Sequence, residues 1–161
     1  MRVLTIAEAA AFAASARQAG RRVVFTNGVF DLLHPGHVRY LAAARALGDA
    51  LVVGVNSDRS VRANKGDMRP MMPEQERAEI LAALACVDAV AIFDAETPAD
   101  IIRQIQPDIL VKGADWAEDA IVGRDSVESR GGRVVRMAIE EGWSTSAIIE
   151  KIRVSRASKS S

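Results

Sequence analysis

Short runs rich in β-branched residues alternate along this chain with longer segments of helical period, and that alternation restricts the fold more than any other feature. The runs at 22–26, 50–56, 89–93, 109–112 and 133–137 read as strands. Helical patterns occupy 6–19, 36–47, 73–86, 97–106, 125–130 and 144–153. Pro73, followed by Glu74 and Glu76, marks one helix start, and Gly20, Gly48 and Gly131 mark stops,. Repeated βα units of this kind build a parallel sheet with helices on its faces. The expectation is one α/β domain around an open, doubly wound parallel sheet of about five strands. Ligands of such sheets bind beyond the carboxyl ends of the strands, near the point where strand order reverses. Residues directly after each strand are therefore where chemistry is to be sought.

Nothing divides the chain before its end. Residues 1–152 contain no internal repeat, linker or composition break and read as one domain,. A chain of 161 residues buries about two thirds of its unfolded surface, enough for a core without disulfides,. The lone cysteine, Cys86, reads as a small residue on a buried helix face,. Residues 153–161 are basic, serine-rich and without apolar period, and read as a disordered tail rather than an RNA-binding arm,. Lys and Arg together number 21, as do Asp and Glu, so no overall field draws the molecule to nucleic acid or an anionic bilayer,. No signal sequence opens the chain, and no apolar run approaches the roughly 18 residues of a membrane span,. The expected setting is the cytoplasm, with no nucleic-acid or membrane partner, and a homo-oligomer is compatible with the sequence.

The densest chemistry follows the first strand, at Thr26-Asn27-Gly28-Val29-Phe30-Asp31-Leu32-Leu33-His34-Pro35-Gly36-His37. Both histidines of the protein lie in this loop. Gly28 lets the backbone approach a ligand closely, and Pro35-Gly36 leads into a helix whose free N–H groups favour an anion. Two imidazoles three residues apart at such a helix start can both donate to phosphate oxygens where charge builds. Other readings of the pair stay open at this stage: structural histidines, a zinc pair lacking an adjacent third ligand, or a nucleophile forming a covalent nucleotidyl intermediate. Neither a Gly-x-Gly-x-x-Gly after a strand nor a Gly-x-x-x-x-Gly-Lys-Ser/Thr occurs, so dinucleotide binding and P-loop hydrolysis lack their usual basis,.

Further along, Asn56-Ser57-Asp58 precedes a basic loop with Lys65-Gly66-Asp67-Met68-Arg69-Pro70, and the next helix carries Arg77. Such spaced cations either neutralise phosphates or simply face solvent. After the fourth strand comes Lys112-Gly113-Ala114-Asp115-Trp116, whose indole could shield a base or sugar, or pack half-exposed,. Gly142-Trp143-Ser144-Thr145-Ser146 precedes the last helix; Ser144 or Thr145 is a natural N-cap, and hydroxyls at a helix start suit a second anion cradle,.

The stretch from Gly28 to His37 resembles the signature of the HIGH-motif nucleotidyltransferase superfamily, whose Rossmann-like members transfer a nucleotide by direct in-line attack. The hydroxyl-bearing helix start at Ser144-Thr145 resembles the site that holds the triphosphate opposite the histidine loop in that superfamily. From Arg22 to about Ile152 the chain is similar to the adenylyltransferase half of bacterial ADP-heptose synthases, which serve lipopolysaccharide assembly. Those relatives usually read Gly and Tyr where this chain has Ala114 and Trp116, and Thr at Ser146. Glycerol-3-phosphate cytidylyltransferases share the Asp-Trp pair but carry Arg-Thr where Ile139-Glu140 stands here, which argues against cytidine.

The resemblance implies transfer of AMP from ATP to a heptose 1-phosphate, releasing pyrophosphate, with a separate sugar kinase supplying the acceptor. It implies His34, His37 and Lys65 as catalytic groups. Nucleotide and phosphate contacts would come from Thr26, Asn27, Gly28, Phe30, Gly36, Arg69, Arg77, Gly113, Asp115, Ser144 and Thr145, and acceptor contacts from Asp31, Lys112 and Trp116. No protein metal site is expected; Mg2+ would ride on the ATP phosphates. The rival readings are a cytidylyltransferase for glycerol 3-phosphate or a similar polyol phosphate, a non-catalytic nucleotide-binding module, and a fragment related to class I aminoacyl-tRNA synthetases.

Overall fold

The computed structural model describes residues 2–114, 117, 120–138 and 142–157. In chain order its elements are β1 (Val3–Leu4), α1 (Ile6–Gln18), β2 (Val23–Gly28), α2 (Pro35–Arg45), β3 (Ala50–Asn56), α3 (Asp58–Lys65) and α4 (Glu74–Ala82). They continue with β4 (Ala89–Phe93), α5 (Ala99–Ile105), β5 (Ile109–Gly113), α6 (Arg124–Glu128), β6 (Arg133–Met137) and α7 (Thr145–Ala157). One sheet holds six strands in the order β1-β4-β3-β2-β5-β6, and every pair in it is parallel. The α/β class, the parallel sheet and the five strands read from the sequence are all present. From β2 the chain builds outward through β3 and β4, then returns to add β5 and β6 on the other side. The order reverses between β2 and β5, and a crevice opens at their carboxyl ends.

Strand alternation divides the interior into two cores. Val23, Phe25, Val52, Ala89, Ala91 and Leu110 face α1, α5 and α6. Val24, Leu51, Val53, Val55, Val90 and Val111 face α2 and α4. With both faces covered, the strands read as nearly continuous apolar runs, as buried parallel strands do. Aspartates close the opposite edge of the sheet. Val23 N–H donates to Asp108 at 2.7 Å and Leu51 N–H to Asp88 at 2.8 Å, leaving the carboxyl edge for ligands.

Two elements escape a reading by period. β1 is a two-residue edge strand, too short for alternation, paired with β4 through Val3 and Val90,. The segment read as a basic loop begins with α3, whose buried residues are Ser60 and Val61 alone. Capping makes it a helix: Ser57 Oγ accepts from Ser60 N–H at 3.1 Å,. A cap also starts α1, where Thr5 and Glu8 form a reciprocal capping box,. α4 ends at Ala82, so Cys86 lies in the following turn, half-buried, with its thiol pKa raised by burial. α7 runs to Ala157, past the expected end at 153. Among the described residues no helix is long and apolar enough to cross a membrane.

Candidate active site

Beyond β2 and β5 lies a cavity of about 660 Å³, within the size range of small-molecule sites,. Asn27, Gly28, Lys112 and Gly113 form its floor, Phe30, His34, Gly36 and His37 one wall, and Ser144, Thr145 and Ser146 the wall opposite. The loop leaving β2 turns sharply at Phe30, which adopts φ 47°. A side chain at Gly28 would place its Cβ 3.1 Å from the Phe30 ring, so glycine permits this turn,.

α2 then starts with Pro35 at its first position and His34 as N-cap,. Nδ1 of His34 accepts from His37 N–H at 3.4 Å. That acceptance leaves Nε2 as the nitrogen that carries hydrogen in the neutral ring. The two imidazoles stack with centroids 3.8 Å apart, and Phe30 abuts His37 edge-on at 5.4 Å. Trp143 lies roughly parallel to His34 at 6.1 Å. Gly36 is confined between them: a Cβ there would stand 3.1 Å from both His34 Nδ1 and Trp143 Cβ. Burial, reinforced by the neighbouring His34, pushes His37 down to about 4, although the Leu32 carbonyl opposes the shift. Nδ1 of His37 nevertheless makes no hydrogen bond of normal geometry among the described residues. Burial lowers His34 as well. At neutral pH the pair is therefore uncharged and meets a ligand as N–H donors; a bound polyanion would favour protonation.

On the opposite wall Ser144 caps α7, its Oγ accepting from Ala147 N–H at 3.0 Å. Thr145 Oγ1 donates to the Leu32 carbonyl at 3.5 Å and so bridges to the histidine loop. Two helix N-termini thus converge on one cavity, an arrangement suited to a polyanion. Cations complete it. Lys112, buried, donates to Asn27 Oδ1, and desolvation lowers it to about 8. Lys65, at the end of α3, is exposed on the cavity wall.

Three expected ligands are put to other uses. Asp31 has no exposed side-chain surface; its carboxylate accepts from Arg69 Nε at 2.7 Å and from the Met71 and Met72 amides at 2.8 and 2.9 Å. Although it lines the cavity, both of its oxygens are taken by these donors. It holds Arg69 at the cavity wall with only Nε engaged among the described residues. Arg77 is 1% exposed and donates to the carbonyls of Met72, Val29 and Asn56 and to the Asp58 carboxylate. Every nitrogen of that guanidinium is occupied, so it is a structural tie and not a phosphate contact. Thr26 is buried beneath the floor, its hydroxyl 2.9 Å from that of Tyr40. Asp115 and Trp116 lie outside the described residues. The sequence reading missed Tyr40, Asn64, Glu96 and Trp143 as wall residues. Only Trp143, adjoining Ser144-Thr145, carried a signal that could have found it.

The cytidylyltransferase-like family matches residues 25–151. The bifunctional protein HldE of Syntrophotalea carbinolica is 57% identical over 136 residues, 84% of this chain and 28% of that protein. The bifunctional protein HldE of Citrifermentans bemidjiense is 59% identical over 133 residues, 83% of this chain and 27% of its own length. The chain thus spans under a third of these relatives. A lipopolysaccharide core biosynthesis protein from Thermoplasma volcanium superposes with a TM-score of 0.62 at 31% identity, covering 75% of this chain and 98% of that one. Pantothenate synthetase from Thermus thermophilus, at 20% identity and a TM-score of 0.58 over 86% of this chain and 62% of its own, shares the fold.

Proposed function

The chain belongs to the cytidylyltransferase-like family, and from that membership we propose that it transfers AMP from ATP to a heptose 1-phosphate, forming ADP-heptose and pyrophosphate. The observation that carries this reading is the stacked His34/His37 pair at the start of α2, facing the Ser144/Thr145 start of α7 across one cavity. The identity to the HldE proteins favours the heptose acceptor over glycerol 3-phosphate.

The triphosphate lies between the two helix starts. An oxygen of the acceptor phosphate attacks the α-phosphorus, forming a new P–O bond as the bond to pyrophosphate breaks. That oxygen is already ionised at neutral pH, so no general base is required. Rate then comes from positioning and from stabilising charge as it moves to the leaving group. His34 Nε2–H and His37 donate to phosphate oxygens, Lys65 and Arg69 neutralise the polyphosphate, and Asp31 aims Arg69. Asp115 and Trp116 belong to this proposal as contacts to nucleotide and acceptor.

No group of three or more metal-ligating side chains occurs among the described residues, and the Asp31 carboxylate is fully engaged. Asp31 has no oxygen left for an ion, and Glu96 is the other carboxylate lining the cavity among the described residues, so Mg2+ in this proposal is held chiefly by ATP phosphates and water,. When bound there, the ion offsets negative charge on the phosphates. The acceptor is already phosphorylated, so a sugar kinase step must precede this one. The relatives' description as bifunctional, with most of their length unmatched, suits a second activity elsewhere in those proteins.

The test pairs ATP and CTP with heptose 1-phosphate, hexose 1-phosphates and glycerol 3-phosphate, and reads pyrophosphate release. ATP with the heptose 1-phosphate should give the highest kcat/KM. Product from CTP and glycerol 3-phosphate alone would move the assignment to a cytidylyltransferase, and nucleotide binding without turnover on any acceptor would make the chain a binding module.

A further inference from the structure

The cavity straddles the edge of the sheet. Phe25 and Leu110 face the core beneath α5 and α6, so Asn27 and Lys112, two residues further along each strand, face the same side,. His34, His37 and Tyr40 stand on the side of α2. The cavity therefore has a histidine arm and a second arm walled by Glu96, Pro98, Ile121 and Val122. In-line displacement places acceptor and leaving pyrophosphate on opposite sides of the α-phosphorus. If pyrophosphate departs toward the histidine arm, the acceptor enters from the other.

Two carboxylates line the cavity among the described residues, Asp31 and Glu96. Asp31 is buried and saturated. Glu96 is exposed and makes no hydrogen bond or ion pair to any described residue; its field reaches Arg59, but Arg59 is held by Asp94. Water solvates this exposed carboxylate, so both of its oxygens are open to exchange water for the donors of a ligand that enters the arm,. A sugar supplies them as adjacent hydroxyls, which two carboxylate oxygens can accept together. Pro98, Ile121 and Val122 beside it suit the C–H faces of the same molecule.

We propose that Glu96, on the α5 side of the cavity from which Lys112 is expected to hold the acceptor phosphate, accepts hydrogen bonds from sugar hydroxyls and so selects a polyhydroxylated acceptor over a short polyol phosphate. This inference rests on the transfer reaction proposed above. Glu96 thereby determines acceptor specificity and not the chemistry at phosphorus.

Glu96→Ala and Glu96→Gln proteins test it, with kinetics for ATP, heptose 1-phosphate and glycerol 3-phosphate and calorimetric binding of heptose 1-phosphate. Loss of charge-assisted hydrogen bonds should raise the heptose phosphate KM and Kd of Glu96→Ala roughly tenfold to a hundredfold, with Glu96→Gln intermediate. The ATP KM and kcat should stay within about twofold, and the preference over glycerol 3-phosphate should fall by the same factor as the acceptor KM rises. A wild-type enzyme that turns over heptose phosphate, with unmoved acceptor constants in Glu96→Ala, overturns this assignment alone. So does a shift confined to Mg2+ dependence, which would make Glu96 a metal ligand. Binding of heptose phosphate that depends on Glu96 without any turnover would keep the subsite and sink the transfer reaction. No binding and no turnover would overturn both.

Discussion

His34 does two jobs with two nitrogens, and they can be separated. Nδ1 accepts from His37 N–H and caps α2, while Nε2 remains to donate into the cavity. Asparagine is a strong N-cap whose side-chain oxygen replaces the first function but cannot extend to the second. His34→Asn should therefore retain the wild-type melting temperature within a few degrees and lose about a hundredfold to a thousandfold in kcat, the usual effect of removing one transition-state donor. Equal losses of stability and turnover would mean that the ring serves the helix start only. Asp31 makes a similar point about reading residues singly. Its place inside the histidine motif suggests ligand contact, yet Arg69 and two amides from a distant segment occupy it completely.

Between elements, Arg77 is the tie. From α4 it reaches the Val29 carbonyl in the histidine loop, the Asn56 carbonyl ending β3, the Asp58 carboxylate opening α3 and the Met72 carbonyl before its own helix. These bonds fix α3, and with it Lys65, relative to the histidines. Lysine at this position keeps the charge but cannot span four partners with one ammonium. Arg77→Lys should lower unfolding free energy in urea by on the order of 3 kcal/mol, as expected when a buried charged network is broken. If stability were unchanged while the ATP KM rose, Arg77 would regain the phosphate role that its sequence position suggests.

For the molecule as a whole, the buried imidazole links stability to pH. His37 has a folded pKa of about 4 against an ordinary value of 6.5. Between those values the unfolded chain binds more protons than the folded one, so stability is full above about pH 6.5 and falls as pH drops toward 4,. Urea denaturation at stepped pH should show this decline, and His37→Asn should reduce it, with His34, also lowered by burial, keeping its own share. A decline of the same slope in that variant would assign it to other groups. The triphosphate opposes the effect, because a polyanion favours the protonated ring; ATP should protect the protein most at the acidic end of the range.

The α/β class, the parallel sheet and the histidine, hydroxyl and lysine segments were legible in the sequence because each is written locally, in strand runs such as Ala50–Asn56 and in motifs abutting them. Local patterns also marked both helix starts that face the cavity, at His34-Pro35 and Ser144-Thr145. What lacked a local pattern was missed: β1 is too short to alternate, and α3 depends on a cap rather than an apolar face. Tertiary structure alone decided which charges are free. Asp31, Arg77 and Glu96 look equally available as letters, but partners about 40 residues from Asp31 and about 20 and 50 from Arg77 engage the first two and leave the third open,. Sequence states which donors and acceptors a chain carries, whereas burial and long-range pairing determine which of them remain for a ligand.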